Sequence, residues 1–295
     1  MGLELKLTGF NRDSAAAMYL AEAGVKRATE VIISKKDHTM DALNERWSCN
    51  NEEADPLFKD IKIGEAGAFT VSYLFHDKRV FYGVQDEEGR ININNAPKDV
   101  IARLIVYLDP ASAADEISSN IEDWRDPDKA RQDGSPEYDY IDEGYGRKDT
   151  LFDSSDEVLL VKGMDRGLYD RIKGYITVYP IAGSGCRINV NTAPLPVLKA
   201  LGFSDADAGA IIATRAGSDG LDGTQDDAPF MNKDAFTTYL ANAGIALPEN
   251  MGLVSCGSNF FRVVSKGYAS GGRVVKTVTC VISVTAGSIL YWNEE

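Results

Sequence analysis

Two short stretches of this 295-residue chain repeat each other, and the repeat limits the folds open to it. Arg90-Ile91-Asn92-Ile93-Asn94-Asn95-Ala96-Pro97 returns as Arg187-Ile188-Asn189-Val190-Asn191-Thr192-Ala193-Pro194, with six of the eight positions identical. In each copy an alternating apolar segment runs through Asn into Ala-Pro. Helix-spaced apolar residues follow: Val100, Ile101 and Leu104 in the first copy, Val197, Leu198 and Leu201 in the second. The pattern predicts a strand end and then a helix. Asn94 and Asn191, or Asn95 and Thr192, are placed to accept bonds from free amides of the first turn. Pro97 and Pro194 fall early in the helix, where a missing N–H costs nothing. A match of this length predicts a duplicated supersecondary unit rather than two unrelated junctions.

Around the repeat the chain changes character. Asp13 or Ser14 is placed to cap a helix running to about Ile33, with Ala17, Leu20, Ala21, Gly24, Ala28 and Val31 as its small-residue stripe. A helix so thin on one face is expected to lie on a sheet. Phe69, Val71, Tyr73 and Phe75 alternate with Thr70, Ser72 and Leu74, and Val80 to Val84 and Ile91 continue as strands of an antiparallel meander. From Ala96 to about Met251 helical patterns dominate: after Pro97, from Ala111 to Trp124, from Ser155 to Val161, and after Asp165, Pro194, Asp205 and Lys233. Strands return at Phe261–Ser265, Val274–Val284 and Ile289–Trp292. The expected architecture is α+β. A discontinuous domain of residues 1–95 and 257–295 lays a helix on an antiparallel sheet, and a mostly α-helical domain, 96–256, is inserted.

The net charge of −14 argues against nucleic acid, whose phosphates demand Lys and Arg. It equally opposes an anionic membrane surface. No run of about 18 apolar residues occurs, and no signal peptide is recognisable. The four cysteines, Cys49, Cys186, Cys256 and Cys280, form no CxxC pair, so zinc is not expected. Buried thiols and disulfides both remain open. Enzyme signatures fail. Gly183-Ser184-Gly185-Cys186 starts like a dinucleotide loop but has Ile188 where the third Gly is needed, and no G-x-S-x-G elbow occurs.

Two acidic clusters have the composition of cation sites. The first comprises Asp123, Asp126 and Asp128, then Glu137 and Asp139. Asp126-Pro127-Asp128 offers two carboxylates that a loop can aim at one point, and Gly134 and Pro136 allow the chain to return. Calcium takes six to eight oxygens from such loops. The second cluster holds Asp219, Asp222, Asp226 and Asp227 with Gly220 and Gly223, but lacks the Glu of an EF-hand. From spacing alone, each is either a calcium site or a solvated acidic loop.

Several segments together resemble the minor pseudopilin K family of type II secretion, the general secretion pathway protein K family. They are Tyr19–Val25, Asp86-Glu87-Glu88-Gly89-Arg90-Ile91-Asn92-Ile93-Asn94-Asn95-Ala96, Asp123-Trp124-Arg125-Asp126-Pro127-Asp128, Gly134–Tyr140, Asp156–Met164 and Ile289–Trp292. They cover nearly the whole chain in the family's order. The prepilin cleavage site and hydrophobic helix of the family are absent from this sequence. The resemblance implies a pilin-like fold with a large inserted helical domain, no enzymatic activity, and one or two Ca2+ ions held in the insertion. It implies a place at the tip of a periplasmic pseudopilus, beside minor pseudopilins I and J, with anchoring to the inner membrane through an N-terminal helix. On the first helix Tyr19, Leu20, Val25 and Ile32 are the expected partner-facing residues, and the chain is expected to end a filament rather than extend it.

The alternative is a nucleic-acid-binding module. Val161-Lys162-Gly163-Met164 and Ala200-Leu201-Gly202-Phe203 resemble the helix-hairpin-helix turns of bacterial DNA-uptake proteins. Asp165, Asp205 and Asp207 stand where a phosphate would approach, so these turns are read as packing units.

Overall fold

The computed structural model describes the chain except residues 1, 50, 52–55, 129, 132–134, 139, 141–143, 182 and 184, and describes the backbone alone for residues 2–6. The chain divides into two compact units, neither of them continuous. The first holds 1–87, 216–229 and 257–295; the second holds 88–215 and 230–256. The last return to the first unit falls at 256/257. The outward cut falls at 87/88 rather than 95/96, because Ile91 and Asn92 pair with residues 176–177 of the second unit. The segment 216–229, expected in the insertion, packs with the first unit instead.

Helix α1 (Gly2–Ser34) opens the first unit. With labels in chain order, β1 (Ile61–Ile63), β2 (Gly67–Val71), β5 (Gln85–Asp86), β10 (Phe260–Ala269), β11 (Val274–Ser283) and β12 (Ser288–Glu294) form a six-stranded antiparallel sheet. Its order is β1-β2-β10-β11-β12, with β5 on the far end of β10. The register sets Ser265 opposite Val71 and Gly267 opposite Phe69. The expected strand Phe69–Phe75 breaks at Ser72. Tyr73–Leu74, β3, turns away to pair with β4 (Val80–Phe81), so a two-stranded ribbon replaces the meander.

Ala17, Leu20, Ala21, Val25, Ala28 and Ile32 of α1 are buried. They lie at helical spacing, which gives one face that closes on the sheet. Two glycines set the distance. A Cβ on Gly24 would lie 2.1 Å from Ser265 Oγ, and one on Gly267 would lie 2.0 Å from the Ala17 carbonyl oxygen. Helix backbone therefore rests directly on strand backbone at Gly267. Beneath it Val25, Ile32, Trp47, Phe58, Phe69, Val71, Phe261 and Val263 make the core, where each large side chain contributes about 1.5–3 kcal/mol. The helix begins before Asp13 and Ser14 and uses neither as a cap; the Asp13 carboxylate accepts from Ser270 and Arg12.

The second unit is built twice over. β6 (Ile91–Asn92) leads to α2 (Lys98–Leu108), α3 (Ala114–Arg125) and α4 (Arg166–Ile172), then to β7 (Ile176–Thr177), parallel to β6. β8 (Ile188–Asn189) leads to α5 (Leu195–Leu201), α6 (Asp205–Arg215) and α7 (Lys233–Ala243), then to β9 (Val254–Ser255), parallel to β8. The predicted duplication thus extends from eight residues to a whole βααα–β unit.

The asparagines do not cap the helices as expected. Pro97 and Pro194 precede α2 and α5 with no side-chain cap. The asparagines instead tie each copy together. Asn92 Oδ1 accepts the Asn94 amide at 2.9 Å, and Asn189 Oδ1 accepts the Asn191 amide at 3.0 Å. Asn94 accepts from the Phe152 amide and donates to the Phe152 and Val178 carbonyls. Asn191 repeats this with Phe230 and the Cys256 carbonyl. The last residue of the second helix completes the match: Arg125 donates to the carbonyls of Ile93 and Ala96, and Arg215 to those of Val190 and Ala193.

Candidate metal centre

The two acidic clusters occupy equivalent places in the repeat, each in the loop after the arginine that ends the second helix. Their chemistry differs. In the first copy Asp126 terminates α3, its amide bonded to the Glu122 carbonyl at 3.1 Å. Asp128 Oδ1 accepts the Ala130 amide at 2.9 Å and bends the chain outward. Arg131 brings it back: its amide donates to the Ser135 carbonyl, and its guanidinium pairs with buried Asp123 at 2.9 Å and Glu116 at 3.1 Å. Ala130 and Pro136 close a bridge. Trp124, Tyr140 and Phe152 form the aromatic floor beneath.

That folding brings Asp126, Asp128 and Glu137 together, with one ligand oxygen from each within 4.8 Å of the others. Two oxygens bound to one calcium ion at 2.3–2.6 Å lie at most about 5 Å apart, so the spacing fits. Asp126 Oδ1 and Glu137 Oε1 are buried and accept no hydrogen bond. Burial, then the charges of Asp128, Asp123 and Glu122, hold the Asp126 carboxyl above its usual range. The guanidinium of Arg147, shared with Asp149, lies against Glu137. Three carboxylates and one guanidinium leave two negative charges, and every donor is a hard oxygen. The residues present therefore fit a divalent calcium-like cation. Asp139, expected with them, lies outside the described residues. Arg131 and Arg147 were not singled out in the sequence; nothing local marks an arginine that folds a loop rather than solvating it.

In the second copy the carboxylates are spent on the loop itself. Asp226 accepts from the Ser218 amide and hydroxyl, the Asp219 amide and the Thr224 hydroxyl. Those bonds hold its carboxyl well below the ordinary range. Asp219 accepts the Leu221 amide, and Asp227 accepts from Gly223 and Thr224. Burial pushes Asp227 up to about 6 against those two amides, with Asp222 adding to the rise. Asp222 is buried. Among the described residues the first loop supplies the one group of three convergent carboxylates, and Asp219, Asp222, Asp226 and Asp227 form no second group.

The helix face also differs from expectation. Tyr19 is 70% exposed, but Leu20, Val25 and Ile32 are 3%, 2% and 0% exposed and belong to the chain's own core. Among the described residues, the large apolar side chains that α1 leaves in solvent are Leu7, Phe10, Tyr19 and Ile33. At the two hairpins the following helix is capped from within. Asp165 accepts the Leu168 amide at 2.7 Å, and Ser204 accepts the Asp207 amide at 3.1 Å. All four cysteines are thiols.

Two family models, both described as type II secretion system (T2SS) protein K, match residues 81–181 and 188–254. The chain belongs to the type II secretion system protein K family. Each matched segment spans one copy of the structural repeat, so the duplication is a property of the two family segments as they stand here. Type II secretion system protein K of Pseudomonas aeruginosa is 25% identical over 263 residues, covering 84% of this chain and 68% of that protein. A chain of the crystal structure of the GspK-GspI-GspJ complex from enterotoxigenic Escherichia coli superposes with a TM-score of 0.70 at 18% identity, covering 99% of both chains. The mixed helix-and-sheet fold is thus shared end to end. Among the described residues no helix is long and apolar enough to cross a membrane.

Proposed function

We propose that this chain is a structural, non-enzymatic minor pseudopilin of a type II secretion machine, the component that ends the pseudopilus. In this reading the first unit is the pilin-like body and the second the inserted helical domain. The protein works on the periplasmic side of the inner membrane, assembled with minor pseudopilins I and J. The observation that carries the reading is the end-to-end likeness to a chain of a complex holding all three components. Exposed Tyr19, with Leu7 and Phe10, is the part of α1 offered to a neighbouring helix.

Calcium belongs to the same reading. Asp126, Asp128 and Glu137 would hold the ion, with backbone carbonyls or water completing its shell. The ion would neutralise the carboxylates and fix the loop after α3. The test is co-purification of this chain with pseudopilins I and J, with and without calcium. A one-to-one-to-one complex is expected, weakened by Tyr19→Asp without loss of fold. Open-ended filaments of this chain alone, or normal assembly by Tyr19→Asp, would overturn the capping reading.

A further inference from the structure

The segment after α1 folds into a buried ionic knot in the first unit that the calcium loop does not involve. Asp41, with a fully buried side chain, is its centre. Its Oδ1 faces Lys35 Nζ at 2.8 Å and His38 Nδ1 at 2.9 Å, and its Oδ2 accepts the Ser258 amide at 2.9 Å. The Ser258 hydroxyl donates to Asp86 at 2.7 Å. Lys35 also reaches Glu45, which accepts from the Ala42 amide and the Trp47 indole. The His38 ring packs on Phe261 with centroids 5.6 Å apart. A Cβ on Gly257 would lie 2.0 Å from the His38 carbonyl oxygen, so only glycine fits there. Asp86 and Ser258 stand where the chain first leaves the first unit and where it last rejoins it. The knot therefore ties the first exit and the last return of the chain to the end of α1.

The second ring nitrogen decides the protonation state. His38 Nε2 lies 3.3 Å from the Ile32 carbonyl, in the last turn of α1. A carboxylate and a carbonyl both accept only. A neutral imidazole has one N–H, so one of its nitrogens would point a lone pair at an acceptor. The imidazolium satisfies both, and its charge complements the negative end of the helix.

We propose that His38 is a proton-operated clasp, which as imidazolium joins the last turn of α1 to Asp41 and loses one of those two bonds when it releases its proton. Burial opposes the charge and so does Lys35, but the bond to Asp41, its charge and the Ile32 carbonyl prevail, leaving His38 above its ordinary value. A histidine raised in the folded state adds stability that is complete below the unfolded value and fades as pH rises through the folded one. Lys35 stays with Asp41 throughout, so deprotonation loosens the clasp without stranding the carboxylate.

The experiment is an NMR pH titration of the intact protein at saturating calcium, with hydrogen exchange of the Ser258 amide followed in parallel. The chain has two histidines, and His76→Gln assigns the resonance of His38. The His38 ring should titrate above about 6.5, and Ser258 should lose protection across the same range. In His38→Gln the extra fall in Tm seen in the wild type between about pH 6 and pH 9, of about 2–4 °C, should vanish. A ring that titrates at or below about 6.5 overturns the clasp, as does a wild type whose pH profile matches that of His38→Gln. Should that variant not fold, the ring titration of the unmodified chain decides.

Discussion

Asn191 is almost fully buried, and its side chain accepts one backbone amide and donates to two carbonyls. Replacing it with Ala leaves the Phe230 amide and the Phe230 and Cys256 carbonyls without those bonds. Each orphaned group costs about 1–3 kcal/mol, so Asn191→Ala should lower stability by about 3 kcal/mol or more in urea unfolding. Asn94→Ala should do the same in the first copy. The sequence marked these asparagines as special but gave them the wrong partners. A helix cap is a local guess, three residues away. The true partners stand at Phe152 and Val178, or at Phe230 and Cys256, and no local pattern names them. Arg125 and Arg215 were invisible for the same reason, since each acts on carbonyls far back in the chain.

At the scale of elements, the docking of α1 depends on how close two backbones can come. Gly267→Ala would drive a Cβ into the Ala17 carbonyl and Ala21 amide, neither of which can rotate away. Overpacking of this kind costs about 1–3 kcal/mol, and the rigid neighbours put this case at the upper end. The check is a Tm comparison with Gly271→Ala, whose added Cβ meets open space and whose positive φ supplies a strain-only control. Helix α1 and most of its sheet-facing stripe were legible, since Ala17, Leu20, Ala21, Gly24 and Ala28 are buried as expected. The width of that face was not: small residues leave its edges undefined, and Val25 and Ile32 fell to the wrong side. A neighbour's helix and the chain's own sheet attract the same apolar groups. The small ribbon of β3 and β4 escaped because alternation continues through Ser72 while the chain itself turns.

For the whole molecule, with its net charge of −14, a cation that binds the folded chain better than the unfolded one is a stabilising ligand. Calcium held by the folded chain at the proposed site would add about 2.7 kcal/mol at a hundredfold excess over Kd, and chelator should remove it. Protons compete for the same oxygens. Because Asp126 is held above the ordinary carboxyl range, acid should reach it early, so the calcium-induced rise in Tm should shrink as pH falls. Asp126→Ala with Asp128→Ala should abolish that rise at neutral pH, and a rise that persists in the double variant would place the ion elsewhere.

The partition of the chain into interleaved segments also dictates an order of events. Strand β2 finds its neighbour only when β10 exists, with Val71 waiting for Ser265. Bringing such distant residues together is slow, because loop closure must precede any reward. The apolar side of α1 therefore lacks β10 and β11, most of the sheet it lies on, until the final strands are made, although both βααα–β copies are already complete in the nascent chain. Pulse-labelled hydrogen exchange should find amides of α2 and α5 protected before those of β10. A chain stopped before Gly257 should leave Val25, Ile32 and Phe69 open to water, the kind of surface that a cell recognises as unfinished and destroys.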